Sequence, residues 1–149
     1  MARERIRVTK NFDLSKIKLD LTRELNLAAQ IVKKDHFQRL ERGIGVSGKK
    51  LEPSQKIKLG LGGKTLVDSG QMRNLVIDKA TKSKQVASLA PGSKRSYRGK
   101  DVTPADVGYF HQTGAGRLPK REWFGITDKA EKDIFKMVEM TIEREIRNA

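Results

Sequence analysis

Apolar positions divide the chain into two helical ends and a less regular middle. Leu14, Ile17, Leu21, Leu25, Ala28, Val32 and His36 or Phe37, then Leu40, recur every three or four residues. That period predicts one long helix with a single apolar stripe. Asn11 or Asp13 can cap its start, and Gly43 and Gly45 end it. Near the C-terminus, Ile134, Val138, Thr141 or Ile142, and Ile146 mark the apolar face of another helix, with Phe135 and Met137 flanking. Asp128-Lys129-Ala130-Glu131 reads as a loose capping box that opens it.

Between these ends the periods change. Residues 43–64 show neither a helical nor a strand period and are rich in glycine and lysine, which predicts a long, mobile, basic loop. Leu75 to Ala80 and Gln85 to Ala90 read as two short strands around Thr81–Lys84, a hairpin. PGSKRSYRGK, residues 91–100, reads as a second flexible basic loop. Thr103-Pro104 signals a helix start, because threonine caps and proline is preorganised for the first turn. That short helix runs through Val107, Phe110 and His111, closes with the apolar bulk of Tyr109 and Phe110, and stops at Gly114. Arg121 to Ile126 reads as one more strand. The order is long N-terminal helix, hairpin, short helix, strand, C-terminal helix. It predicts an α+β fold with a small, mainly antiparallel sheet, and residues 1–149 as a single domain.

Charge adds a direction to this layout. The net charge is +14, and residues 43–100 alone hold 13 Lys and Arg against 3 Asp and Glu. Such an excess favours polyanions without regard to sequence, through counterion release. The candidate contacts are Lys49, Lys50, Lys56, Lys58, Lys64, Lys94, Arg95, Arg98 and Lys100. In KRSYRGK, Tyr97 is the one aromatic residue among cations, which is a weak base-stacking platform and suits a basic lining equally well. No zinc-finger, helix-turn-helix or RNA-recognition signature is present, so sequence-specific readout is not expected.

Other chemistry is thinly represented. The chain has no cysteine, and its two histidines, His36 and His111, lie far apart, so neither a metal site nor a cofactor is expected. MARERIRVTKNFD lacks the apolar core of a secretion signal, and no apolar run is long enough to span a membrane. Gly43-x-Gly45-x-x-Gly48 has dinucleotide-fingerprint spacing but follows a helix rather than a strand. Gly63-Lys64-Thr65 resembles the end of a P-loop, yet the position that needs glycine is Lys58. His111 with Asp101, Asp106, Arg117 and Arg121 could be drawn as a nuclease site, but only Asp106 lies within about one helical turn. A structural role is the expectation for His111, His36 reads as a partly buried packing residue or a surface one, and the chain is not expected to be an enzyme.

The stretch YFHQTGAGRLPKREWFG, residues 109–125, has the strongest internal logic: helix end, a corner at Gly114 and Gly116, and an extended entry set by Pro119. Tyr109-x-His111-Gln112-x-Gly114, followed by Leu118-Pro119-x-Arg121-x-Trp123-Phe124-Gly125, resembles the signature of phage virion-morphogenesis and tail-completion (neck) proteins of the Mu type. Upstream, Leu66-Val67-Asp68-Ser69-Gly70-Gln71-Met72 is similar to a second block of that family, in matching order and spacing. One departure is Leu51-Glu52-Pro53, where family members often carry a tryptophan. The resemblance implies a structural subunit of a virion, assembled in the host cytoplasm. It would form a homo-oligomeric ring, hexameric by tail symmetry, at the head-proximal end of the tail or in the neck. Its implied partners are tail tube and sheath proteins, neck or head-completion proteins, and double-stranded DNA held nonspecifically in the lumen, with no membrane. The charge supports a different reading, a free nonspecific nucleic-acid-binding protein.

Overall fold

A computed structural model describes residues 19–66, 72–92 and 103–148. The first helix, α1, runs Thr22–Glu41. The expected caps Asn11 and Asp13, and the stripe residues Leu14 and Ile17, lie outside the described residues. Residues 19–21 are not helical, so α1 begins later than the apolar spacing predicts. Asp20 supplies a reason: its Oδ1 accepts from the Thr22 N–H (2.9 Å) and from the Thr22 hydroxyl (2.6 Å). Such local side-chain bonds compete with a preceding helical turn. At the other end Gly43 adopts φ 65°. Its N–H reaches Leu40 O and the Ile44 N–H reaches Arg39 O, the paired bonds of a left-handed stop. Ala29, Val32, His36 and Leu40 form the buried face of α1.

Residues 43–64 are not the featureless loop that the sequence predicts. Ile44 and Lys50 form an antiparallel bridge. Gly45 N–H to Lys49 O (2.8 Å) closes a tight reversal, in which Gly48 holds φ 82°. Leu51 enters the core, and Gln55–Lys58 form a single helical turn, α2.

The hairpin is present with shorter strands. β1 is Leu75–Asp78 and β2 is Ser88–Pro91, antiparallel, with Leu75 opposite Pro91 and Asp78 opposite Ser88. Residues 79–87 connect them, because Ala80 leaves the ladder for α1. Asn26 Oδ1 accepts from the Ala80 N–H (2.8 Å), and Asn26 Nδ2 donates to the Ala80 carbonyl (3.1 Å). The turn itself sits where it was expected, with Thr81 N–H bonded to Lys84 O (2.9 Å).

α3, Pro104–Thr113, starts and stops as read. Thr103 and Asp106 exchange a full capping box, and Gly114 ends the helix in the left-handed conformation (φ 70°). Arg121 to Ile126 is not a strand, because its main chain bonds to Gln112, His111 and Val46 rather than to a ladder. α4, Asp128–Asn148, is capped one residue earlier than predicted: Thr127 Oγ1 accepts from the Ala130 N–H (3.2 Å). Ala130 and Thr141 are its buried positions, and Ile134, Met137, Val138 and Ile142 are half-buried. Ile146, expected on that face, is 46% exposed, and Phe135 is 59% exposed. α1 packs against α4 and against both strands, and α3 contacts β2. Thr141 Oγ1 donates to the buried Glu24 carboxylate (2.9 Å), tying α4 to α1. Within the described residues no helix is long and apolar enough to cross a membrane.

Candidate functional site

The segment after α3 is organised around Trp123, which is 2% exposed. Its ring packs with Leu40, Leu51 and Met72, and Leu66 and Val107 border the cluster. The indole N–H donates to the Gly108 carbonyl (2.9 Å). A Cβ on Gly108 would lie 2.4 Å from the indole ring, so only glycine permits this approach. Burying an aromatic side chain of this size contributes several kcal/mol at about 25 cal/mol per Å².

Side chains replace the missing strand partner. Gln112 Oε1 accepts from the N–H groups of both Trp123 and Phe124 (3.1 Å each), and Gln112 Nε2 donates to the Phe124 carbonyl (3.3 Å). The Arg121 N–H bonds to the His111 carbonyl (2.7 Å), and the Glu122 carbonyl accepts from Val46 N–H (2.9 Å). A buried backbone must be satisfied somewhere. Here α3 and the loop after α1 do it, and no ladder is left to build.

Arg121 is the polar centre, at 4% exposure. Nε donates to the Glu52 carbonyl (2.6 Å), Nη2 to the Pro53 carbonyl (3.0 Å) and Nη1 to His111 Nδ1 (2.9 Å). That last bond requires a neutral imidazole with its proton on Nε2. Burial, and then the adjacent guanidinium, hold the His111 pKa below its ordinary value. Burial also lowers the Arg121 pKa, with nearby Glu52 opposing.

His36 is more deeply placed than the sequence indicates, at 1% exposure. Nε2 donates to the Met72 carbonyl (2.7 Å), and the ring sits 5.4 Å from that of Trp123. Burial lowers its pKa, and the Met72 bond partly offsets that. Arg39 was not singled out by its sequence; it links Asp35 (2.9 Å) to the Trp123 carbonyl (3.2 Å). Its only sequence signal is a place one turn from His36 on the buried face.

The family-motif residues therefore divide. Leu66, His111, Gln112, Gly114, Arg121, Trp123 and Gly125 gather at the corner, Gly125 against Val46. Leu66 joins with φ 62°, a left-handed conformation that costs an ordinary residue about 1–2 kcal/mol. Tyr109, Phe110, Leu118, Pro119 and Phe124 are exposed, so the apolar bulk that Tyr109 and Phe110 bring to the last turns of α3 lies at the surface. Ser69 and Gly70 lie outside the described residues.

The candidate polyanion contacts divide too. Lys49, Lys50, Lys56, Lys58 and Lys64 are all exposed. Lys58 pairs with Glu52 (2.6 Å), and Lys64 pairs with Glu41, which Arg73 also holds. These bonds keep the Glu52 and Glu41 pKa values below the ordinary range. Lys94, Arg95, Arg98 and Lys100, with Tyr97 and Asp101, lie outside the described residues. Asp106 is committed to Thr103, so it does not form an acid–base pair with His111. Among the described residues no group of three or more His, Asp or Glu is placed to hold a metal ion. Compared with known proteins, the chain matches no family model, no curated protein and no solved structure.

Proposed function

We propose that this chain is a structural part of a tailed-phage particle. Its place is a ring, hexameric by tail symmetry, at the head-proximal end of the tail or in the neck. There it completes the tail and joins it to the head while DNA passes through the lumen. The resemblance described above motivates the reading. One observation carries it: the hydrogen bonds of the polar motif residues hold backbone groups and one another. Gln112 and Arg121 bond backbone groups, His111 receives Arg121, and Leu66 of the upstream block packs at the Trp123 cluster of the downstream one. A motif spent on holding a corner together suits a building block better than a catalyst.

Particles made with and without this protein test the reading. Tail tubes of uncontrolled length in its absence would indicate a terminator, and normal tails unattached to full heads would indicate a joining role. A chain that remains a strict monomer and never associates with tails or heads would overturn the proposal. The free nucleic-acid-binding reading rests on exposed Lys49 and Lys50 within the strongly basic middle third. It expects tight, salt-sensitive DNA binding by the isolated chain, flattened by neutralising Lys94, Arg95, Arg98 and Lys100.

A further inference from the structure

A buried cation ordinarily meets a carboxylate, because an isolated charge away from water is costly. Arg121 departs from this. Its three hydrogen-bond acceptors are two backbone carbonyls and a neutral imidazole. Among the described residues no carboxylate pairs with it. Glu52, whose main chain it holds, turns its own carboxylate to Lys58 (2.6 Å). A guanidinium has five N–H donors in a planar fork, and the three bonds leave two of them for another acceptor.

The same arginine lines a cleft of about 230 Å³ formed where the 45–52 reversal meets residues 120–122. Ser47, Lys49, Lys50 and Lys120 surround it. Of its two acids, Glu52 is engaged by Lys58, and Glu122 lies 3.2 Å from Lys120. The cleft therefore has an excess of cations over acids, around a buried guanidinium that no carboxylate hydrogen-bonds. It is smaller than the roughly 300–1,000 Å³ of pockets that enclose whole small molecules. A compact, multiply charged group fits that combination of size and sign better than an entire cofactor does.

We propose that this cleft is an anion site for a phosphoryl group, with Arg121 as its buried donor and Lys49, Lys50 and Lys120 as its exposed cations. The lysines neutralise the charge as point cations, and the arginine supplies direction. The site does not depend on ring formation; the ring reading bears only on whether the phosphate belongs to DNA.

The test uses the full, isotope-labelled chain titrated with inorganic phosphate, against sodium chloride at matched ionic strength. Saturable shifts of the Arg121 Nε–H and of the 47–51 amides are expected with phosphate and not with chloride. The variant Lys49→Ala/Lys50→Ala/Lys120→Ala changes only exposed side chains and should weaken the response at least about tenfold, equivalent to about 1.4 kcal/mol. Equal shifts with chloride, a response that never saturates, or undiminished binding by the triple variant would each overturn the proposal. A short DNA duplex distinguishes the sources. Shifts at the same resonances that phosphate displaces assign the group to a nucleic-acid backbone. A duplex that leaves them unmoved while phosphate saturates them assigns it to a small phosphorylated molecule. Particle assembly is a separate readout, so the two proposals can fail independently.

Discussion

Along the hairpin, the main chain of Leu75–Asp78 faces that of Ser88–Pro91, and the ladder needs no particular side chain to exist. Around Trp123 the main chain faces side chains instead. Gln112 takes two N–H groups and returns one donor, Arg121 holds two carbonyls of the 52–53 segment, and Arg39 and His36 each hold one carbonyl more. Both regions satisfy their polar groups, but by different means. A ladder spreads its dependence over many residues, whereas a side-chain scaffold concentrates it in a few. Point substitutions should therefore act unequally in the two places.

The largest effect is expected from Trp123→Ala. It empties the centre of the cluster and orphans the Gly108 carbonyl. A loss of about 3–5 kcal/mol is expected in denaturant unfolding. A loss below about 1 kcal/mol would mean that the corner is not the keystone described here.

A matched pair sharpens the comparison. Gln112→Ala removes the acceptor of two N–H groups in the corner, and Asn26→Ala removes the clasp between α1 and the hairpin connection. Gln112→Ala should cost about 1–3 kcal/mol and Asn26→Ala roughly 1 kcal/mol, since the hairpin keeps its ladder. Urea midpoints of the two variants in one buffer decide the order. Equal losses, or the reverse order, would erase the distinction between scaffold and ladder.

The smallest effect, and the most selective, is that of mild acid. Both histidines belong to the corner, and both have folded-state pKa values below the ordinary 6.5. A depressed folded value means that the unfolded chain binds protons first. The contribution is then fully present above 6.5 and is lost as pH falls below it toward the folded values. Protonating His111 also sets a cation against Arg121. The carboxylates with lowered values titrate from ordinary values of 3.8 and 4.5, so they enter only at lower pH. Stability measured at pH 7.5 and 5.5 should decline, and His111→Gln should reduce the slope. A flat profile over that interval would contradict the neutral-imidazole geometry.

What was legible in the sequence was chemistry acting over a few residues. Thr103-Pro104-x-Asp106 carries its own cap, Gly114 carries its own stop, and the hairpin turn at Thr81–Lys84 is local. The α+β layout followed from these signals together with the helical periods. The failures come from partners distant in sequence. Arg121 to Ile126 has the composition of a strand, but its hydrogen bonds go to Gln112, His111 and Val46, which no period reveals. Ile146 fits the apolar stripe of α4, yet the side chain stays exposed near the helix end. At the site, the motif residues were visible as a string of types. Nothing in that string showed that Arg121 would be buried without a carboxylate, or that His36 and Arg39 would reach across to the same corner from α1.

The chain contains a single tryptophan, and it lies at this corner with its indole N–H bound and its ring beside an imidazole. Its fluorescence is therefore an unlabelled local reporter. Emission should be blue-shifted while the corner is intact and red-shifted when water enters, and a protonated His36 at ring distance should quench it. An optical trace from the unmodified chain would thus follow this one junction, whatever the rest of the molecule is doing.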